Sequence, residues 1–436
     1  MSAPPRLSQR ARLAGDQPIS RLMHLALARG DLISLAAGFV DQATLPTEEV
    51  AEAVTRLMAD PGLARRALQY GTTPGNPQLR SLVLDRLSRA DGRTLSATHG
   101  LTIDRVVMTA GSNQLLHLVG ETLLDAGDIV LCASPSYFVF LGMLGNQGAR
   151  AIGVATDEHG IIPEALEEEL RRRDRAGELE RVKAIYVTSY FDNPTSITLA
   201  ADRRPKIVDI AKRWSRRGKI YVIEDAAYRP LRYEGDDLPS LFGYDEAADT
   251  VILAETFSKS FSPGIRVGWG FLPAELVEPL CAQKGNIDFG SPNFAQHLMA
   301  EVLEQGSFDE HVAKLRASYR TKRDAMLEAA DEHLSPLEGV HWLRPGGGLY
   351  VWLQLPAEID TGPAGPLFDR AVEEGMLYVP GEYCYPREGE PVRHNMIRLS
   401  FGVQTPEAIR QGVRALARAI EHTRGQRSRQ TVAPGV

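Results

Sequence analysis

Residues 219–225, KIYVIED, and residues 251–256, VILAET, decide the fold, because each is a short, continuously apolar run that ends in a polar residue. Three similar runs precede them: RVVMTA from Arg105, DIVLCAS from Asp128 and VKAIYVTS from Val182. Continuous apolar runs of this length are typical of parallel strands that are buried on both faces. Helical stretches separate them, for example residues 163–173 and 203–217. This alternation predicts an α/β fold with βαβ crossovers and a mostly parallel sheet between helices.

The pattern changes after Pro292, where long helical segments run to about Leu334. Two strand-like runs, GLYVWLQL and MIRLSFG, follow, and then a helix from about Pro406 to Glu421 and a polar tail, so we expect a smaller α+β lobe. The run LISLAAG and the helix-start signal PTEE at 46–49 are assigned to the same lobe. The expected division is 1–60 as an N-terminal arm with part of the small domain, 61–305 as the large domain and 306–436 as the small C-terminal domain.

Composition excludes several classes of protein. The chain has 436 residues with 49 Lys and Arg against 56 Asp and Glu, a net charge of −7, and no basic block that suggests a nucleic-acid partner. Its three cysteines lie far apart, so neither a disulfide framework nor a metal site is expected. No apolar run approaches the roughly 18 residues of a membrane span, and the first residues lack the apolar core of a secretion signal. We therefore expect a cytoplasmic protein with no membrane partner.

Polar residues placed just after buried strands mark the usual ligand crevice of an α/β sheet. Lys259, in TFSKSFSPGIRVGW, offers an amine, and Asp225, at the end of YVIED, offers a carboxylate. An amine that forms an imine, an acid that keeps a pyridine nitrogen protonated, and phosphate ligands are what pyridoxal 5′-phosphate (PLP) requires. Glu224 competes with Asp225 for the acid role, and Asp225 is preferred because Tyr228 follows in the same turn. Hydroxyl groups and a guanidinium near the lysine are suitable phosphate ligands: Thr256, Ser258 and Arg266.

Four further residues have both a structural and a functional interpretation. Ser112 and Asn113, in TAGSNQ, are either an ordinary helix cap or backbone amides that bind phosphate at a helix N-terminus. Tyr137, in SPSYF, either packs in the core or stacks on the cofactor ring. Asn193, in DNPTS, is either a turn former before proline or a ligand of the cofactor. Beside a PLP lysine, the functional interpretation is favoured for each.

The ordered landmarks YGTTPGNPQLR, TAGSNQ, SPSYF, DNPTS, EDAAY, TFSKSFSPGIRVGW and MIRLSFG make the chain resemble the class I/II aminotransferases of PLP fold type I. The resemblance runs from about Pro18 to Ile420. The segments AYRPLRYEGDDLPSL and GGGLYVWLQLP are similar to the branch of 2-aminoadipate and kynurenine aminotransferases. The implied fold is a large domain with a mostly parallel seven-stranded sheet between helices and a smaller α+β domain.

The resemblance also implies a role for each matching residue. Three are implied in catalysis: Lys259 as Schiff-base lysine and proton shuttle, Asp225 as partner of the pyridinium, and Tyr137 as the stacked ring. Further cofactor contacts are implied for Ser112, Asn113, Asn193, Tyr228, Thr256, Ser258, Arg266 and, across a dimer interface, Tyr70. Substrate contacts are implied for Arg398, which binds the α-carboxylate, and for Gly38, Asn193 and Arg21. Without the family, Arg398 is read as a salt-bridged arginine on a strand and Arg21 as a solvated residue on an amphipathic helix.

The implied activity is ping-pong transfer of an amino group between an L-amino acid (2-aminoadipate, glutamate, aromatic or aliphatic) and a 2-oxo acid, in a homodimer with shared active sites. The alternatives are another fold type I PLP enzyme, such as a β-lyase or an aminocyclopropane-carboxylate-synthase-like enzyme, and a PLP-sensing transcription regulator, which carries a winged helix before this core. Three departures concern the substrate pocket: Gly38-Phe39-Val40 replaces Gly-x-Pro, Ser196 replaces the glycine after Asn-Pro-Thr, and Asp192 replaces a frequent glutamine.

Overall fold

A computed structural model describes residues 6–15, 18–92 and 101–431, without the side chains of 18, 19, 21 and 426–431. The helices in this part are α1 (Gln9–Leu13), α2 (Pro18–Ala28), α3 (Thr47–Ala59), α4 (Pro61–Leu68), α5 (Pro77–Asp91), α6 (Ser112–Leu123), α7 (Phe138–Gln147), α8 (Pro163–Arg175), α9 (Arg203–Trp214), α10 (Ala274–Asp288), α11 (Asn293–Glu304), α12 (Ser307–His333), α13 (Pro366–Glu373) and α14 (Pro406–Thr431). The strands are β1 (Ile33–Ser34), β2 (Val106–Thr109), β3 (Ile129–Ser134), β4 (Arg150–Asp157), β5 (Gly160–Ile161), β6 (Val182–Thr188), β7 (Tyr221–Asp225), β8 (Val251–Thr256), β9 (Gly268–Phe271), β10 (His341–Trp342), β11 (Tyr350–Gln354), β12 (Met376–Leu377), β13 (Val379–Pro380), β14 (Glu388–Gly389) and β15 (Met396–Ser400). None of these helices has the length and apolar character that a membrane crossing requires.

The central sheet has the strand order β14-β4-β3-β6-β7-β8-β9-β2, and β5 pairs with β4 outside this path. The pairs from β14 to β8 are parallel, whereas β9 is antiparallel to both β8 and β2. Seven of the nine strands have four residues or more, and β5 and β14 have two each. The mostly parallel sheet of seven main strands is therefore confirmed.

Both faces of this sheet are covered, as the continuous apolar runs predict. On β7, Val222 packs into one buried cluster with side chains of α5 and α9, and its neighbour Ile223 packs into a second cluster with side chains of α6 and α10. Alternation along one strand between two apolar layers requires apolar residues at every position. Helix α5 is bounded locally, because the Asn76 side chain accepts a hydrogen bond from the Leu79 N–H and Gly92 ends the helix in the left-handed conformation.

A second, antiparallel sheet has the order β10-β11-β15-β13, and helices α12 and α14 pack together in the same C-terminal part of the chain. Strand β1 pairs with β12, so residues 33–34 lie against residues 376–377. The predicted end of the last helix at Glu421 was wrong. Helix α14 continues to Thr431, because this polar stretch is rich in Arg and Gln, which favour helix. The limits at 60/61 and 305/306 stay predictions.

Candidate active site

A cavity of about 230 Å³ lies where strands β6, β7 and β8 end. This is the carboxyl edge of the parallel strands, where α/β sheets bind ligands. Ten of the residues singled out from the sequence line the cavity: Ser112, Asn113, Tyr137, Asn193, Asp225, Tyr228, Thr256, Ser258, Lys259 and Arg266. Four other residues complete the wall: Phe39, Thr188, Ala227 and Pro263.

Lys259 follows β8 and directs its amine toward the N-terminal segment of the chain. Its Nζ donates a hydrogen bond of 2.8 Å to the carbonyl oxygen of Gly38. Burial, together with the positive charges of Arg398 and Arg266, lowers the pKa of Lys259 to about 8. With this pKa, about half of the Lys259 amines are neutral near pH 8, the form that a nucleophilic or proton-accepting amine requires.

Asp225, rather than Glu224, faces the cavity, because consecutive residues of β7 point to opposite faces of the sheet. The Asp225 carboxylate accepts hydrogen bonds from the Tyr186 hydroxyl at 3.0 Å and from the Ala227 N–H at 3.1 Å. Burial raises the pKa of Asp225. Glu224 is occupied on the other side, where it accepts hydrogen bonds from the Ser189 hydroxyl at 2.6 Å and from a backbone amide at 3.1 Å.

The N-terminus of α6 opens into the cavity beside two glycines that allow close approach of the backbone. Gly111 precedes the helix with φ +81°, a conformation that favours glycine. A β-carbon on Gly268 would lie 2.6 Å from the Ser112 nitrogen, so this position also has no room for a side chain. Arg266 is exposed and donates from Nη2 to the Ala110 carbonyl at 2.9 Å. Free amide N–H groups at a helix start, next to hydroxyls and a guanidinium, form a site for phosphate.

Arg398 lies on β15 and is 1% exposed. Its Nη1 donates to Asn193 Oδ1 at 2.7 Å, and its Nη2 donates to the Ala36 carbonyl at 2.9 Å. Its Nε is buried and has no hydrogen-bond partner. An unpaired buried donor is unfavourable, so this guanidinium is suited to an anion that approaches its free N–H groups. The salt-bridge reading of Arg398 is wrong, since it lies within 4.0 Å of no carboxylate among the described residues.

Two tyrosines, Tyr137 and Tyr228, also line the cavity. The Tyr228 hydroxyl lies 2.9 Å from the Tyr350 hydroxyl, and the Tyr137 hydroxyl donates to Asn113 Oδ1 at 3.5 Å. Burial raises the pKa of Tyr137 and of Tyr228 well above the usual value of a phenol. Both residues are therefore neutral hydrogen-bonding groups rather than phenolates.

Among the predicted residues whose side chains the structure describes, Tyr70 and Arg398 are not part of the cavity lining, and neither is Gly38. Tyr70 is 80% exposed and packs edge to face against Phe289, with ring centroids 5.6 Å apart. Arg21 lies in α2, but its side chain is outside the described residues. Gly38 contacts the site through its carbonyl, which accepts the Lys259 hydrogen bond.

Sequence reasoning missed Thr188, Tyr186 and Tyr350. Thr188 is the register partner of Asp225 between β6 and β7, and Tyr186 reaches the Asp225 carboxylate from the same strand. A strand alignment made before the structure could have found Thr188, because both residues end neighbouring predicted strands. Tyr350 lies on β11 in the second sheet, and nothing local in the sequence places it beside Tyr228.

The departures from the family pattern lie at Ser196, at Asp192 and at Phe39 in the Gly38-Phe39-Val40 segment. Ser196 has φ +57°, the conformation for which glycine is usual, and its Oγ donates to the Tyr350 carbonyl at 2.8 Å. Burial raises the pKa of Asp192 to about 7, and its carboxylate accepts a hydrogen bond of 2.9 Å from Thr195. Phe39 lines the cavity and is 49% exposed. These residues change the surroundings of the site and leave Lys259 and Asp225 in place.

The side chains present fit PLP. A buried amine, a buried carboxylate and a helix N-terminus flanked by glycines meet in one cavity. This fold and site together define a PLP-dependent enzyme of fold type I.

Comparison with known proteins identifies the family. The sequence profile described as "Aminotransferase class I and II" matches residues 30–416, so the chain belongs to this family and is a PLP-dependent aminotransferase. It is 35% identical over 395 residues, 90% of this chain and 91% of the relative, to a 2-aminoadipate transaminase of Thermus thermophilus. It is 31% identical over 391 residues, 90% of this chain and 88% of the relative, to aromatic-amino-acid aminotransferase 1 of Thermococcus litoralis.

A solved structure supports the fold. The α-aminoadipate aminotransferase of Thermus thermophilus, in complex with N-(5′-phosphopyridoxyl)-L-leucine, superposes with a TM-score of 0.82 at 32% identity, over 96% of this chain and 98% of that chain. The resemblance to PLP fold type I aminotransferases is thus confirmed.

Proposed function

We propose that Lys259 is the residue that binds PLP covalently and moves the proton in a ping-pong transamination between an L-amino acid and a 2-oxo acid. The observation that carries this proposal is the buried amine, with its pKa lowered to about 8, in the same cavity as the Asp225 carboxylate. When bound, PLP supplies an electrophilic aldehyde and a ring that accepts electrons. Asp225 holds the proton on the ring nitrogen, and Tyr186 and the Ala227 amide hold the carboxylate in position.

The remaining cofactor residues divide by chemistry. The phosphate is bound by Ser112, Asn113, Thr256, Ser258 and Arg266, which supply amides, hydroxyls and a guanidinium. Tyr137 stacks on the ring, and Asn193 and Tyr228 hydrogen-bond the ring oxygen O3′. Arg398 binds the α-carboxylate of the substrate, since its N–H groups that remain free are buried and lie beside Asn193.

For the amino donor, we propose acidic amino acids, glutamate or 2-aminoadipate, together with aromatic or aliphatic ones. Support comes from relatives whose names refer to 2-aminoadipate and to aromatic amino acids. We assign the recognition of a distal carboxylate to Arg21 on α2. In the Arg21→Ala variant the KM for acidic donors should rise about tenfold or more, as expected for the loss of charged hydrogen bonds, while the KM for phenylalanine stays nearly constant. Equal changes in KM for both classes of donor would show that Arg21 does not select the substrate side chain.

We further propose a homodimer in which Tyr70 reaches the phosphate bound by the other subunit. The exposed rings of Tyr70 and Phe289, which lie outside their own cavity, support this arrangement. The location in the cytoplasm stays a prediction from the sequence.

A half-reaction tests the proposed chemistry. The purified protein, loaded with PLP and mixed with a single amino acid, should convert the cofactor to pyridoxamine phosphate and release one equivalent of 2-oxo acid. A β-lyase releases ammonia together with a 2-oxo acid and the leaving group, and it returns the cofactor unchanged. Lys259→Ala should prevent borohydride from fixing the cofactor to the protein and should lower turnover at least a thousandfold, a barrier increase of about 4 kcal/mol. A Lys259→Ala protein with normal turnover would overturn the assignment.

A further inference from the structure

Tyr350 lies between Tyr228, which is assigned to the cofactor, and Arg398, which is assigned to the substrate carboxylate. It is 1% exposed at the start of β11, and its hydroxyl lies 2.9 Å from the Tyr228 hydroxyl. The two rings meet edge to face at 74°, with centroids 5.8 Å apart. A β-carbon on Gly38 would lie 2.4 Å from the Tyr350 hydroxyl oxygen, so the absence of a side chain at Gly38 makes room for this phenol.

The ring of Tyr350 also contacts Arg398. Tyr350 pairs with Ser400 and Trp352 pairs with Arg398 across β11 and β15, so Tyr350 and Arg398 lie on one face of the small sheet. The Arg398 guanidinium carbon lies 4.4 Å from the centroid of the Tyr350 ring. A guanidinium at this distance is attracted to the ring, which restrains it without using any of its N–H groups. The N–H groups that Asn193 and the Ala36 carbonyl do not use stay available for a carboxylate.

We propose that Tyr350 is a positioning residue that holds both Tyr228 and Arg398, and so couples the cofactor side of the site to the substrate side. The inference rests on the proposed contact between Tyr228 and O3′ of the cofactor. Tyr228 has one hydroxyl proton, and when it donates that proton to O3′ it must accept one from Tyr350. Hydrogen bonds in such a chain polarise one another, so the Tyr350 hydroxyl strengthens the bond that Tyr228 donates.

Removing only the hydroxyl tests the first half of the proposal. In Tyr350→Phe, the dissociation constant of PLP from the apoprotein should rise about threefold to tenfold, the effect of one neutral hydrogen bond. The pH midpoint of the bound cofactor's absorbance should rise as well. A weaker hydrogen bond from Tyr228 leaves more negative charge on O3′. That charge stabilises the proton on the neighbouring Lys259 nitrogen, so a higher pH is needed to remove it. The KM for the amino donor should change less than the dissociation constant of PLP.

Removing the ring tests the second half. Tyr350→Leu should show the same cofactor effects and, in addition, a rise of about threefold to tenfold in the KM of the amino donor, because Arg398 loses its aromatic contact. The control is Tyr378→Phe, which removes a buried hydroxyl whose hydrogen-bond partner is the Thr361 carbonyl, at 3.0 Å, rather than Tyr228 or Tyr350. This variant should leave the cofactor affinity and the absorbance midpoint unchanged.

A double variant separates the inference from the function on which it rests. If Tyr350 acts through Tyr228, Tyr350→Phe should have no further effect on PLP affinity or on the absorbance midpoint in a Tyr228→Phe background. Additive effects, or a Tyr350→Phe single variant with unchanged affinity and midpoint, would overturn the positioning role. If Tyr228→Phe alone changes neither quantity, the proposed contact with O3′ fails first, whatever Tyr350 does.

Discussion

Replacing Arg398 by lysine should weaken the recognition of the substrate carboxylate while leaving the cofactor residues in place. The guanidinium already uses Nη1 for Asn193 and Nη2 for the Ala36 carbonyl, and its fork has further N–H groups for a carboxylate. Lysine keeps the charge but offers a single point of contact. The loss of one of two charged hydrogen bonds to the substrate is worth about 1.5–3 kcal/mol. This corresponds to about a 10- to 140-fold fall in kcat/KM.

The assay compares L-phenylalanine with 2-phenylethylamine, which has the same side chain and no carboxylate, in single-turnover half-reactions. Arg398→Lys should lower the rate with L-phenylalanine by about 10- to 140-fold. The rate with 2-phenylethylamine should change by no more than about twofold, because the lost binding energy belongs to the carboxylate contact. Arg323→Lys is the matched control. Arg323 is also buried, but its partners are Glu234 and the Pro345 carbonyl, and both rates should stay near those of the parent protein. An equal fall for both substrates in Arg398→Lys would refute the carboxylate role.

Three further outcomes are expected. Because the Lys259 pKa is lowered to about 8, the neutral fraction of its amine rises with pH through that value. The rate at which the apoprotein binds PLP covalently should therefore increase up to about pH 8 and then level off, and a rise that continues to the ordinary lysine value of about 10.4 would contradict the effect of burial. Tyr186→Phe removes the 3.0 Å hydrogen bond to Asp225, so the dissociation constant of PLP, measured by equilibrium dialysis, should rise by a factor of about 3 to 10. Mixing inactive Lys259→Ala and Tyr70→Ala subunits should restore part of the activity in hybrid dimers, and no recovery in dimers shown by sedimentation to be mixed would exclude a shared site.

Most of the sheet could be predicted, because burial on both faces leaves a strong signal in a single strand. The missed strands β4 and β9 lack that signal. Strand β4 begins with Arg150 and contains Gly153, and Gly268 and Gly270 make up half of β9. Glycine is a poor strand former, so only the tertiary pairing with β8 and β2 reveals β9.

The site was predictable where its residues follow the strands in order. Lys259 and Asp225 stand at the ends of two apolar runs, and the choice of Asp225 over Glu224 agrees with the alternation along β7. Contacts between the two sheets were not predictable in this way. Tyr350 meets Tyr228 across 122 residues, and Arg398 meets Asn193 across 205, distances along the chain at which no local pattern operates.

Strand β14 protects one edge of the central sheet. Edge strands expose unpaired backbone groups, and long ones invite pairing with other chains and aggregation. Here the edge position beyond the eight-residue β4 is taken by only two residues, and Glu388 forms an ion pair with Arg150 at 2.6 Å. Gly389 lies so close to β4 that a β-carbon there would approach the Gly153 oxygen within 2.3 Å. A chain that lost this short strand would expose more of the β4 edge as a template for intermolecular β pairing.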